Sequence, residues 1–388
     1  MRTKLLSVTM LLVISFIFTG YQCSSTEITS ARLYIQQKNY EKALEVIEKE
    51  ISKNPKSDEG YYLKGLAYFS LENLPEMVTA FDKSLQISKK FQAEIEDIKL
   101  RAWVDSFNKG VALVKRGAQT QDQDSAKVFY DLAISSFESA ALIEPDSSDA
   151  YNNIAIVYIN QKKYQEAIEP YKKSLQLNPT EDAHIKLAEL YYVLGVGHKN
   201  KFDNERASRD SVEAYKYFNS SIDVLEQGYK SYPKSVDIIK LLAELYSQTQ
   251  QTTKGIATFK SAVDYNPDNA EYRFYYGYFL LTVGQYSDAV NELEKARQLD
   301  PKDTDILYTE AVAYFNWGIA LRQEAEKLEK ESPEANDKFN KAREILEDLI
   351  ALKNDQAKYF NLAGKVYSLL GMTAEATAAF EKEDELRK

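Results

Sequence analysis

The sequence predicts an all-α protein, a solenoid of about nine antiparallel helix pairs. Three observations carry this. Prolines recur at a fixed interval: Pro145 and Pro179 lie 34 residues apart, and Pro233, Pro267 and Pro301 repeat that spacing. Within each period, small residues precede large apolar ones at spacings of three and four, which puts each pair on one helical face. Turn residues such as Glu72-Asn73 and Gly284-Gln285 divide each unit, and Asn-Pro or Asp-Pro closes it, because proline cannot continue a helix. A period of this length marks a helical repeat array.

The first 22 residues read as a signal peptide. Arg2 and Lys4 form a charged start, and Leu5 to Thr19 is an apolar run of 15 residues. That is short of the ~20 residues a spanning helix needs and fits a secretory signal. Its end, GYQCSS, resembles the lipobox of bacterial lipoproteins, in which the cysteine is acylated and becomes the first mature residue. Cys23 would be that cysteine, although Gly20 stands where leucine is usual and Gln22 where a small residue is. The alternative is cleavage after Ser25, which discards Cys23.

The rest of the chain, 23–388, tiles into nine units beginning near residues 24, 58, 103, 148, 181, 236, 270, 304 and 357. The unit YNNIAIVYINQKKYQEAIEPYKKSLQLNP shows the pattern plainly, with Ala155, Tyr158, Ala167 and Tyr171. The same quartet reads Gly65, Tyr68, Met77, Phe81; Ala243, Tyr246, Gly255, Phe259; Gly277, Leu280, Ala289, Leu293; and Gly364, Tyr367, Ala376, Phe380. Small residues let paired helices approach, and large ones fill the space beside them. The first unit (Ala31, Tyr34, Ala43, Pro55) and the fifth are weaker. Pro170 falls midway along a second helix, where proline costs about 3 kcal/mol unless the helix kinks, so a bend is expected.

These quartets resemble the tetratricopeptide repeat (TPR) family. The resemblance implies a right-handed superhelix of helix pairs whose inner groove binds peptides or protein segments.

Three units are longer than the period, near 103–145, 181–233 and 304–354. Extra residues fall before Trp103, around Arg116 to Ser125, after Leu194 (GVGHKNKFDNERASRDS) and after Leu321 (RQEAEKLEKESPEANDK). Helical character in the last of these runs to Glu331, and Ser332-Pro333 reads as an N-cap with proline at the first helical position. That lengthens the hairpin by roughly 9 residues per arm, or ~14 Å.

Composition excludes several functions. The net charge of −10 leaves no basic footprint, which argues against nucleic acid. One cysteine cannot build a disulfide framework, and two histidines leave little for a metal site. No glycine-rich phosphate loop, GxSxG, HExxH or CxxC is present, so neither an enzyme nor a cofactor is expected. His184 reads as a surface or packing residue, and His198 as part of a polar loop.

The resemblance places the groove on one face of each first helix. Those positions carry Tyr62, Leu66 and Phe69 in the second unit and Phe107, Val111 and Val114 in the third. They carry Phe274, Tyr278 and Leu281 in the seventh and Tyr308, Val312 and Phe315 in the eighth. Lys240, Glu244 and Ser247 of the sixth unit form a polar interruption between the two aromatic patches. Apolar patches and aromatic anchors are what binding surfaces use, although inward packing would bury the same side chains. Lys240, Lys365 and Asn361 are too scattered to clamp a terminal carboxylate. An apolar or aromatic-bearing protein segment suits the patches best. By analogy with envelope TPR lipoproteins, the sequence suggests an exported scaffold of a bacterial envelope, periplasmic or held at the outer membrane by its lipid, serving secretion, outer-membrane biogenesis or appendage assembly. A glycan- or polymer-binding accessory of polysaccharide export is the alternative.

Overall fold

A computed structural model describes residues 25–205 and 208–388. Cys23 and the signal-like segment lie outside the described residues. Among the described residues all regular structure is helical, in eighteen helices and no strands. In chain order they are α1 (Thr26–Gln36), α2 (Tyr40–Lys53), α3 (Asp58–Ser70), α4 (Leu74–Ile87), α5 (Gln92–Gln119), α6 (Gln123–Ile143), α7 (Ser148–Asn160), α8 (Ile168–Leu177) and α9 (Glu181–Glu205). The remainder are α10 (Ser208–Ser231), α11 (Val236–Gln248), α12 (Thr252–Tyr265), α13 (Ala270–Thr282), α14 (Tyr286–Leu299), α15 (Thr304–Lys327), α16 (Pro333–Leu352), α17 (Ala357–Leu369) and α18 (Thr373–Leu386). Two compact units result, one ending at Val157 and the other beginning at Tyr158 within α7.

Helix starts follow from capping chemistry. Ser57, Asn73, Ser235, Asn269 and Ser332 each accept a bond from the backbone N–H three residues on, as N-caps do. Seven of the turns between paired helices hold one residue in the left-handed region. Gly284 and Gly371 supply it freely, but Lys38, Glu72, Lys162, Gln250 and Glu329 adopt it too, at φ between 52° and 59°. α15 therefore stops at Lys327, four residues before the helical pattern in the sequence ends.

In the first unit, α1/α2, α3/α4 and α5/α6 form hairpins around Ala31, Ala43, Ile47, Met77, Phe81 and Phe137, all essentially inaccessible. In the second, α9/α10, α11/α12, α13/α14, α15/α16 and α17/α18 do the same around Phe218, Leu225, Phe259, Phe279, Phe339 and Leu346. Burying each of the large side chains among these contributes about 1.5–3 kcal/mol. The small residues of the quartet stand where a ring passes: a methyl group on Gly364 would lie 2.7 Å from Phe380, and one on Gly110 would lie 2.7 Å from Phe137. Neighbouring hairpins of the second unit are stitched by tyrosine–glutamate bonds, with the hydroxyls of Tyr246, Tyr314 and Tyr367 donating to Glu226, Glu294 and Glu347.

Three hairpins are long because their arms are uninterrupted helix. α5 has 28 residues and α6 has 21, α9 and α10 have 25 and 24, and α15 and α16 have 24 and 20. Ordinary arms have 13 and 14. The residues before Trp103 are the first turns of α5. His198 also lies in a helix, α9, rather than in a polar loop. Its Nδ1 is 2.9 Å from Asp210 Oδ1, and its ring stacks on Tyr217 at 5.5 Å. Gly195, within α9, lets the Phe218 ring pass close to the backbone.

Pro170 does not bend its helix as expected. α8 begins only at Ile168, capped at Ala167, so Pro170 sits in its first turn. The N–H it lacks would have no partner there, and residues 164–167 take turn conformation instead.

Candidate functional site

Helical period fixes which side chains each first helix offers to a ligand, and the structure distributes the sequence-derived residues unevenly. In the first unit Tyr62, Leu66 and Phe69 are half-buried and pack on the core made by Met77, Phe81 and Ile95. The Tyr62 ring stacks on Phe91 at 4.3 Å with the planes 1° apart, and burial raises its phenol pKa. Phe91 immediately precedes α5, so the extra turns of that helix cover this patch. Phe107 is likewise held, stacked on Trp103 at 4.9 Å and edge-on to Phe137 at 5.4 Å, whereas Val111 is exposed. Beside Phe69 opens a second feature, a depression of about 660 Å³ whose walls include Ser70, Ser106, Ser135, Ser136 and Ser139.

In the second unit Tyr308 packs on Tyr359 at 5.4 Å under the Lys358 ammonium, and Phe315 on Phe339 at 6.2 Å. Both are half-buried and belong to the core around Tyr314 and Leu346.

Phe274 and Tyr278 are also half-buried against the core, but they line a cleft as well. They project from α13 into a cleft of about 340 Å³ whose opposite wall is α11, with Lys240, Glu244, Ser247 and Gln248. The polar positions that interrupt the aromatic pattern in sequence are thus the facing wall of one site. Ser247 Oγ lies 3.0 Å from Tyr278 Oη, joining the walls. Lys240 Nζ pairs with Glu271 at 3.0 Å. The Tyr192 hydroxyl of α9 donates to Glu244 Oε1, and Gln248 Nε2 donates to both Tyr192 Oη and Glu244 Oε1 at 3.2 Å. Glu244 is thereby oriented by neutral donors and has no cationic partner among the described residues.

Sequence reasoning missed Tyr275, Gln248 and Tyr192. Tyr275 lines the cleft next to Phe274, with ring centroids 5.1 Å apart, and burial followed by the field of Glu271, Glu244, Asp305 and Asp303 pushes its phenol up to about 12. A template of one stripe per first helix cannot register Tyr275, because its neighbour Phe274 occupies that stripe. Tyr192 lies 52 residues from the glutamate it holds. Among the described residues no group of histidine, cysteine, aspartate and glutamate side chains could hold a metal ion, and no helix is long and apolar enough to cross a membrane.

A stack of helix hairpins presenting a side-chain-lined cleft on its first helices defines a repeat-type binding architecture. The chain carries tetratricopeptide repeats: one profile of that repeat matches residues 148–181, and a second matches 28–90 and 240–304. The human mitochondrial import receptor subunit TOM70 is 24% identical over 274 residues, covering 70% of this chain and 40% of the receptor. The BBSome complex member BBS4 homolog of Drosophila melanogaster is 21% identical over 352 residues, covering 89% of this chain and 61% of that protein. The chain thus spans less than two thirds of either relative. Among solved structures, YrrB, described as a TPR protein with an unusual peptide-binding site, is 20% identical with a TM-score of 0.38, covering 58% of this chain and 96% of YrrB. A MamA structure is 21% identical with a TM-score of 0.35, covering 50% of this chain and 96% of that one.

Proposed function

We propose that the chain is a non-enzymatic scaffold that holds a segment of a partner protein in the cleft between α11 and α13. The observation that carries this is the cleft itself: exposed polar groups on one wall face Phe274, Tyr275 and Tyr278 on the other. Few polar groups set against aromatic surface are what fixes a ligand's orientation and supplies its contact area. TPR proteins bind peptide or protein partners, which favours a chain segment over a small molecule.

The setting we propose is a bacterial envelope, reached by export and retained through an acyl chain on Cys23. Arg2, Lys4, the apolar run to Thr19 and the cysteine just beyond it support that reading. Within it, assembly of a secretion, outer-membrane or appendage machine would supply the partner. A photo-crosslinking residue at exposed Ser247, compared with one at exposed Lys260 on α12, tests the cleft directly. Adducts from the first position alone, in envelope extract, support it; equal labelling from both, or none, refutes it. Loss of membrane retention in Cys23→Ser tests the anchor, and unchanged retention rules it out.

A glycan is the second reading, favoured by the serine-rich depression in the first unit, whose hydroxyls suit a polyhydroxylated ligand. A ligand that binds only the folded state must raise its melting temperature, so an unchanged Tm in envelope oligosaccharides would eliminate it.

A further inference from the structure

We infer that the α11/α13 cleft selects a basic segment, seating an arginine or lysine side chain against the Tyr275 and Tyr278 rings with Glu244 as its counter-charge. This rests on the peptide-binding reading above and specifies the chemistry of the peptide.

Charges around the cleft are unevenly satisfied. Lys240, the cation on its wall, is already committed to Glu271 at 3.0 Å. Arg273, on α13, is paired with Glu292 at 2.5 Å, and Lys358 of α17 lies over the Tyr308 and Tyr359 rings and 3.9 Å from Asp305. Asp303 is occupied as the N-cap of α15, accepting from the Asp305 and Ile306 N–H groups. Glu244 alone combines exposure, a position on the cleft wall and the absence of a cationic partner among the described residues. Its bonds from Tyr192 and Gln248 both fall on Oε1 and hold the carboxylate in place on the wall.

The aromatic wall has the same preference. Ring faces carry the negative end of the aromatic quadrupole and attract a guanidinium or ammonium group, arginine most often because it also stacks. Burial, and then the nearby carboxylates Glu271, Glu244, Asp305 and Asp303, raise the Tyr275 phenol, so acidic groups lie around this wall. A volume of about 340 Å³ holds one long side chain and the apolar neighbour beside it. The net charge of −10 would also speed the approach of a basic segment, an effect that salt screens. An acidic segment or terminal carboxylate would instead meet Glu244 without compensation.

The test is selection of random decapeptides displayed on phage against the full chain, followed by affinity measurement of the selected peptides with Glu244→Gln and Glu244→Lys. Glu244 is exposed, so both variants should fold, and circular dichroism checks this. The expected result is enrichment of arginine or lysine beside an apolar residue, with affinity falling roughly fivefold in E244Q and further in E244K. Peptides selected without basic residues, or binding both variants as tightly as the parent, would overturn this inference while leaving the peptide-binding reading intact. No peptide selected above background would overturn both. Spermidine competing at the same concentration as the peptides would overturn it in favour of a free polycation.

Discussion

The hydroxyl of Tyr246 donates to the carboxylate of Glu226 at 2.9 Å, tying α11 to the second helix of the preceding hairpin. The two lie twenty residues apart, as do Tyr314 and Glu294, and Tyr367 and Glu347, which form the same bond. Repetition at one spacing means that the bond belongs to the repeat, not to one site. Tyr246 is 1% exposed, so its hydroxyl would otherwise lack solvent. Its phenol pKa is raised, mainly by burial and further by Glu226. Tyr246→Phe removes a bond to a charged acceptor and should cost about 1.5–3 kcal/mol in urea unfolding. In a double-mutant cycle, Glu226→Gln should recover part of that loss as coupling. Additive single effects would show that the bond contributes nothing to the interface.

A second prediction concerns close approach. Gly65 lies sixteen residues before Phe81, and Gly364 the same distance before Phe380; in each pair the ring lies against the glycine. In the long hairpins the partners of Gly110, Gly195 and Gly318 are Phe137, Phe218 and Phe339, at 27, 23 and 21 residues. The contact is kept while the arms lengthen beyond it. Phe137 is fully buried and cannot move aside, so Gly110→Ala should destabilise the first unit by about 1–3 kcal/mol. Pairing it with Phe137→Leu should restore part of that. A neutral Gly110→Ala would mean that the helices can separate freely.

Pro170 yields a third. Its missing N–H falls where no intrahelical bond is required, so the chain loses the first turn of a helix instead of carrying a kink. Pro170→Ala lets residues 164–167 join α8, and the amides of residues 168–171 should then exchange with solvent more slowly. Unchanged exchange would show that the Tyr217–Gln165 hydrogen bond, not the proline, holds this turn open.

These examples show what the sequence makes legible. Periodic contacts are local and repeated, so the quartets and their prolines reveal the helix pairs and the packing partners Gly65–Phe81 and Gly364–Phe380. Extensions such as residues 92–102 have no period to betray them. The approach of Phe218 to Gly195 is likewise visible only in the structure. The cleft was half legible. Phe274 and Tyr278 follow from helical phase, as do Lys240 and Glu244. That they face one another depends on how two hairpins stack, and Tyr192 reaches Glu244 across 52 residues. The opposite error also has a cause. Tyr62 and Phe107 share the phase of groove residues, but Phe91 and Trp103, from the same extended helix and the turn before it, cover them.

The last prediction is a pH dependence centred on Glu310. This side chain is 0% exposed in the core between α14, α15 and α16, and burial pushes its pKa from 4.5 up to about 7. Arg297 opposes the shift: its Nε lies 2.9 Å from Glu310 Oε2, and both its charge and its donor group favour the carboxylate. Glu294 adds to the rise and Lys341 opposes it. The folded-state pKa exceeds the unfolded one, so the folded chain binds this proton more tightly. The stabilisation is complete below about 4.5 and is lost as pH rises through about 7. Between those values the slope is at most ~1.4 kcal/mol per pH unit. Glu310→Gln removes the titrating group while keeping its shape. The variant should be more stable than the parent at pH 8, with a Tm higher by a few degrees, roughly 2–4 °C per kcal/mol for a unit of this size. At pH 5 the two should nearly coincide. Arg297→Ala should carry the parent's decline on to higher pH, because it takes away the charge that holds the shift in check. Parallel Tm profiles for parent and Glu310→Gln across pH 5 to 8 would mean that Glu310 stays ionised in the fold, with Arg297 alone balancing its burial.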